Sequence, residues 1–129
     1  MPRPVINPAE LAHRNTTDAI LKAFYHVYKS LGYGFLEKVY ENALALSLRK
    51  AGLKVEQQVP ITVYSEGEPV GEYFADLLVE GAVIVELKAV SAIIEAHEAQ
   101  WLNYLRATGI RVGLLLNFGP KPTFSGKVS

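Results

Sequence analysis

Asp76, Glu86 and Lys88 are the side chains best placed by type and spacing to do chemistry together. Glu86 and Lys88 stand two residues apart in the apolar run Val83-Ile84-Val85-Glu86-Leu87-Lys88. On a strand they share one face with Ile84. Two charges in so apolar a strand are costly unless they are paired or used. The plain alternative is a strand end at which both emerge into solvent. Asp76 weighs against it. A three-residue loop, Val79-Glu80-Gly81, suits a type I turn with a G1 bulge, glycine taking the left-handed position. In that register Asp76 faces Ile84 and Phe74 faces Glu86. Asp76 and Glu86 are then diagonal neighbours on one face, about 7–8 Å apart at the backbone. A two-residue loop at Glu80-Gly81 would send them to opposite faces. Two carboxylates this close repel unless a proton or cation intervenes, and Lys88 offsets only one. Oxygen ligands completed by water suit Mg²⁺ or Mn²⁺. Such an ion polarises a phosphodiester and generates hydroxide near neutral pH. A lysine beside it orients the attacking water or stabilises transition-state charge.

The elements that must position these residues follow from periodicity. Ile20, Phe24, Val27, Tyr28 and Leu31 recur at helical spacing from Thr17, with Thr16 or Thr17 as cap and Gly32 as stop. Asn7-Pro8-Ala9-Glu10 has the makings of a short separate turn. A second helix carries Leu36, Val39, Tyr40, Ala43, Leu44 and Leu48 to a stop at Gly52. The period then changes to that of strands over 55–64, 70–79 and 83–87. A third helix spans about 92–107, and 111–117 is a fourth strand. The tail from Gly119 reads as a short edge strand or a loose end. Strands three and four flank a helix, so they run parallel through a right-handed crossover, while the earlier strands pair antiparallel through tight turns. The expected fold is α/β, a mixed four-stranded sheet with helices packed on it. Residues 1–16 read as an N-terminal extension and 17–129 as a single domain.

Composition bounds the function. The chain has 129 residues, half of them hydrophobic, with thirteen acids balancing thirteen Lys and Arg. It is long enough to build a core without staples. The absence of cysteine excludes disulfides, thiolate metal sites and a cysteine nucleophile. No apolar run approaches the roughly 20 residues that span a bilayer, and the N-terminus lacks a signal-peptide core. The expectation is a cytoplasmic protein without membrane contact. Zero net charge argues against a strongly basic nucleic-acid coat. The charges are nevertheless segregated: residues 55–98 hold nine acids and one base, Lys88, between two segments that each carry a surplus of four positive charges. Solvated hairpin tips would explain this as well as an acidic centre that takes a cation.

An acidic residue, about ten residues, then Glu-x-Lys after an apolar strand resembles the active site of the PD-(D/E)XK nuclease superfamily. Gly34-Phe35-Leu36-Glu37-Lys38-Val39-Tyr40 fits a Gly-x-x-Glu-x-x-Tyr signature, and FADLLVEGAVIVELKAV and HEAQWLNYL follow in order. Over residues 17–118 the chain resembles the GxxExxY protein family within that superfamily. The resemblance implies a restriction-endonuclease-like core and a Mg²⁺- or Mn²⁺-dependent nuclease acting on nucleic acid, with DNA as the expected substrate. It maps Glu37 as the acidic helix residue, Asp76 and Glu86 as further metal ligands, Lys88 as the catalytic lysine and Gln100 as the glutamine of the next helix. Ala75 stands where the superfamily's name has proline.

Beside that resemblance, Glu37, Tyr40, Glu41 and Leu44 share a helical face, as do His97, Gln100, Trp101 and Tyr104. Tyr40, His97 and Tyr104 are candidates for the edge of the site. Core packing is the competing role for Tyr40 and Trp101, and a solvated first-turn glutamate for Glu37. A small nuclease on duplex DNA often needs two active sites, so a homodimer is a candidate assembly. The alternative function is a non-catalytic module that binds nucleic acid or protein and keeps the nuclease fold.

Overall fold

The computed structural model describes residues 8–128. Within them helix α1 runs unbroken over Pro8–Leu31. Thr16 and Thr17 therefore do not start it. A threonine in a helix is less favourable than alanine by only a few tenths of a kcal/mol, so two of them do not stop a run of helix formers. Pro8 sits at the first position, where its missing N–H is no loss; the proposed cap Asn7 lies outside the described residues. Residues 8–16, read from the sequence as an extension, share this helix with 17–31.

Helix α2 follows over Glu37–Lys50, then strands β1 (Val55–Ser65), β2 (Glu68–Val79) and β3 (Val83–Lys88), helix α3 (Glu95–Thr108), and strands β4 (Val112–Phe118) and β5 (Pro122–Val128). The sheet order is β1-β2-β3-β4-β5, with β3 and β4 parallel and every other pair antiparallel. The sheet has five strands, not the expected four. The tail pairs with β4 from Val112↔Val128 to Phe118↔Pro122 and so satisfies a backbone edge that would otherwise be open.

Helices cover both faces. Ile20, Phe24 and Val27 of α1 and Leu44 and Leu48 of α2 pack on one face, against Leu77, Val79, Val85, Leu87, Leu114 and Leu116. Trp101 and Leu105 of α3 pack on the other, against Ile61, Ala75, Ile84 and Leu115. All seven residues of β4 are buried, as a central strand covered on both sides requires. Gly113 in β4 is needed there, because a Cβ would lie 2.6 Å from a Leu105 methyl and 2.9 Å from Trp101 Nε1.

The β2–β3 register differs from the one expected. Leu77 faces Val85, Leu78 faces Ile84 and Val79 faces Val83, across the loop Glu80-Gly81-Ala82. Glu80 (φ 55°) and Gly81 (φ 61°) are both left-handed, and the Ala82 N–H donates to Val79 O at 3.0 Å. That is a type I′ turn, whose twist matches the strands it joins. With Ala82 as a third loop residue the ladder begins at Val79↔Val83, two residues from the expected register, which preserves the faces and brings Asp76 level with Glu86.

The β1–β2 ribbon changes sides at one level. Leu77 and Val79 join the core under α1 and α2, whereas Ala75 and Tyr73, which strict alternation would place with them, join the core under α3. Val55 and Val59 divide in the same way on β1. The crossing point is Asp76 on one strand and Gln58, with φ 53°, on the other. Pairing is recorded on either side of it, Gln57↔Leu77 and Val59↔Ala75, with nothing inserted.

Candidate active site

The β2–β3 ladder ends at Leu77↔Val85, and beyond it two carboxylates take the place of backbone pairing. Asp76 Oδ2 accepts the Leu87 N–H at 2.8 Å, and Glu86 Oε1 accepts the Asp76 N–H at 3.3 Å. Each acid holds the backbone of the opposite strand, so the side chains converge where the strands part. Glu86 is only 7% exposed. Burial is the main influence on it, the Asp76 charge and a hydrogen bond to the Asp76 side chain follow, and these outweigh the Asp76 N–H and Lys88; its pKa is pushed up to about 9. Burial and the neighbouring Asp76 thus favour the protonated form of Glu86. Lys88 is half-buried at the end of β3, close enough to act on Glu86, and no salt bridge ties its ammonium to a described residue.

The carboxylate of α2 that reaches this neighbourhood is Glu41. It is 3% exposed and accepts hydrogen bonds from Lys38 Nζ (2.9 Å), Gln57 Nε2 (2.7 Å) and Gln58 Nε2. Gln58 Nε2 also reaches Asp76 Oδ1 at 3.2 Å. Glu37, one turn earlier, is the exposed first residue of α2, and no hydrogen bond joins its side chain to another described residue. Sequence singles out neither Glu41 nor Gln58 as a site residue; the one available signal is the pair of glutamines interrupting a β-branched run.

On the α3 face Tyr73 and Tyr104 stack with ring centroids 3.8 Å apart. Burial, then Tyr104, then Glu86 push the Tyr73 phenol up to about 12. Burial, then Glu86, then Asp76 raise that of Tyr104. Both rings thus lie within electrostatic reach of the acid pair. They line a groove of about 830 Å³ together with Tyr64, Gln100, Asn103 and Arg106. Gln100 is exposed on this groove. His97 is placed to serve α3 itself, its Nδ1 accepting the Ile94 N–H at 3.2 Å where the helix begins. This bond explains why α3 starts at Glu95 and not near residue 92. Tyr40 lies in the opposite core, fully buried and stacked on Phe118 at 4.4 Å. Its hydroxyl donates to Gly32 O and accepts the Phe35 N–H, locking the turn before α2.

A second polar anchor sits just beyond Lys88. Asn117, 2% exposed and level with Lys88 across the parallel pair, makes two bonds to one residue. Its Oδ1 accepts the Val90 N–H and its Nδ2 donates to Val90 O, both at 3.0 Å. A Cβ at Gly119 would sit 2.2 Å from Val90 O. Sequence marks Asn117 only as the polar end of an apolar run.

Among the described residues no three of His, Cys, Asp and Glu form a cage that would hold a metal by themselves. The donor set is two hard carboxylates in an opening between strands. Mg²⁺ is commonly held by one or two carboxylates, with water and substrate phosphate completing its shell. Asp76 and Glu86 fit that kind of ion, and do not fit a closed structural site. The raised pKa of Glu86 marks a place that favours added positive charge.

A family model described as the PD-(D/E)XK nuclease superfamily matches residues 14–127. No curated protein matches the chain. Among solved structures the chain is similar to the crystal structure of SSO0001, with a TM-score of 0.58 at 15% identity. The match covers 95% of this chain but 63% of that one, so the likeness is one of fold. No helix among the described residues is long and apolar enough to cross a membrane.

Proposed function

Because the chain belongs to the PD-(D/E)XK nuclease superfamily, we propose that it hydrolyses phosphodiester bonds in DNA, using Mg²⁺ or Mn²⁺ held by Asp76 and Glu86. The observation that carries the reading is the reciprocal grip of these two acids at the point where β2 and β3 separate. Nothing in the packing of a strand pair calls for two carboxylates there. The ion would supply charge against the phosphate and lower the pKa of an attacking water. The chain's own part is to hold the ligands, strip water from Glu86, and present an ammonium. Lys88, with no salt bridge to a described residue, would orient that water or meet charge developing on the phosphorus oxygens. Gln100 would contact the substrate from the groove wall, and Glu37 would approach only with the substrate or hydrated ion in place.

The groove supports a nucleic-acid substrate. Its aromatic side chains offer faces on which bases stack, and Gln100 and Asn103 offer amides at the edge. In the GxxExxY branch to which we assign the chain, the motif has a structural side as well. Gly34 adopts φ 117°, and Tyr40 fastens the turn that contains it, so that Glu37 starts α2.

The test is cleavage of single- and double-stranded DNA and RNA with Mg²⁺, with Mn²⁺ and with chelator, alongside calorimetric titration of the ions. Metal-dependent cleavage of DNA that disappears in Asp76→Asn supports the reading. Binding of nucleic acid without cleavage in any metal would instead make the chain a module that keeps the fold alone.

A further inference from the structure

We infer that Gln58 is a positioning residue for Asp76, fixing the direction of its carboxylate through a bridge to the buried Glu41. The inference rests on the metal-site reading above and concerns residues that neither the superfamily motif nor the sequence pattern marks.

Three observations meet at Gln58. Its backbone is left-handed, φ 53°, in the interior of a strand. A residue with a Cβ rarely adopts that conformation, and it persists only where the surroundings enforce it. It lies at the level where the β1–β2 ribbon changes sides, across from Asp76. Its one amide nitrogen contacts both Glu41 Oε1 and Asp76 Oδ1.

The bonds have a fixed sense. Glu41 is the acceptor for three N–H donors, from Lys38, Gln57 and Gln58. Gln58 must therefore turn its nitrogen, not its oxygen, toward Glu41, and the same nitrogen then meets Asp76. Asp76 Oδ2 is held separately by the Leu87 N–H. With Oδ1 on Gln58 and Oδ2 on Leu87, rotation about the last side-chain bond is blocked. Each oxygen keeps a lone pair free, in a set direction, for a cation. Without Gln58 the carboxylate could keep its bond to Leu87 and still tilt. Partners of this kind, one step removed from a metal, typically change affinity by about 10–100-fold.

A structural role and a positioning role make opposite demands on Gln58→Gly. Glycine adopts the left-handed backbone without strain, yet brings no amide to Asp76. The measurements are the melting temperature of the metal-free protein and Mn²⁺ affinity by calorimetry, for wild type, Gln58→Gly, Gln58→Asn and Gln57→Ala. Asparagine also tolerates positive φ but is one carbon too short to span Glu41 and Asp76. Gln57 bonds Glu41, Asn42 and Arg49 without a bond to Asp76, so it controls for damage around Glu41 that does not involve Asp76. The expected result is Mn²⁺ affinity about tenfold weaker in both Gln58 variants, with metal-free melting of Gln58→Gly unchanged or higher, and affinity unchanged in Gln57→Ala. Equal affinity in wild type and both Gln58 variants overturns the inference. So does an equal loss in Gln57→Ala, or a loss confined to variants that melt lower. A wild type that takes up no Mn²⁺ overturns the metal-site reading and this inference with it; a wild type that binds while the Gln58 variants match it overturns this inference alone.

Discussion

Glu41 and Glu86 are both buried glutamates near Asp76, and they are treated in opposite ways. Glu41 is met by an ammonium and two amides, three donors that between them reach both oxygens. Glu86 is met by one N–H at 3.3 Å and by another acid. A buried acid with both oxygens met by donors holds structure together. A buried acid set against its like, with a lysine nearby that has no salt bridge, leaves a demand for positive charge that the fold does not meet. Burial alone would rank the two together; the donors around them separate them.

The largest expected effect breaks the comparison at Glu86's side. Asp76→Asn should lower cleavage by on the order of 10³-fold or more, with loss of Mn²⁺ binding in calorimetry, because a charged ligand is removed. Lys88→Ala should lower kcat by about 10²–10³-fold while leaving Mn²⁺ affinity within a few-fold of wild type. If both variants lose metal in step, Lys88 serves the ion site and not the chemical step.

Stability should divide the two glutamates next. Glu41→Ala leaves three donors pointing at a cavity, one of them charged. It should destabilise the protein by about 1–3 kcal/mol, read from denaturant unfolding without metal. Glu86→Gln should be close to neutral in the same experiment. Its Oε1 can keep the Asp76 N–H, and its amide can donate to Asp76 in place of the shared proton. The same substitution should abolish tight Mn²⁺ binding. A Glu86→Gln protein as damaged as Glu41→Ala would mean that Glu86 is a structural acid after all.

Titration separates them as well. Glu86 has its folded pKa raised from 4.5 to about 9. Between those values the folded state holds a proton that the unfolded state has released. The contribution is fully present below about pH 4.5 and is lost as pH rises through about 9. Metal-free wild type should therefore lose stability as pH climbs from 5 to 9, and Glu86→Gln should flatten that slope. Melting temperatures in chelator across this range test it. Parallel slopes for the two proteins would remove Glu86 as the source.

These contrasts mark where sequence is informative. Glu86 and Lys88 are conspicuous because they interrupt an apolar strand, and Asp76 can be tied to them through a short hairpin. The exact pairing could not be read, since turn type depends on whether Glu80 accepts a left-handed backbone. The helices and central strands follow from periodicity. The start of α1 does not, because two threonines are too weak a signal to end a helix, and β5 does not, because its glycines and proline pattern poorly and it is held by β4's open edge. Glu41, Gln58 and Asn117 act through partners 16 to 27 residues away. Contacts that long in sequence leave no local period, and a lone polar residue in a strand or helix face looks the same whether it is solvated or buried.

The smallest expected effect concerns Tyr40, which the Gly-x-x-Glu-x-x-Tyr pattern brings into view as a candidate for the site's edge. Its hydroxyl holds Gly32 O and the Phe35 N–H while its ring stacks on Phe118. Tyr40→Phe keeps the ring, so the core packing under α1 and α2 should survive. It removes the partner of one carbonyl and one N–H, which stand in a turn that includes two left-handed glycines, Gly32 at φ 71° and Gly34 at φ 117°. The loss should be about 1–2 kcal/mol, the value of a partly buried hydrogen-bonding group. Because Tyr40 touches no member of the Asp76–Glu86 group, Mn²⁺ affinity should be unchanged, and kcat should fall only as far as Glu37 is displaced from the start of α2. Denaturant unfolding gives the first quantity and calorimetry the second. A Tyr40→Phe protein of wild-type stability with weakened metal binding would move the tyrosine from the scaffold to the site, and would make the motif a chemical signature and not a device for setting the turn.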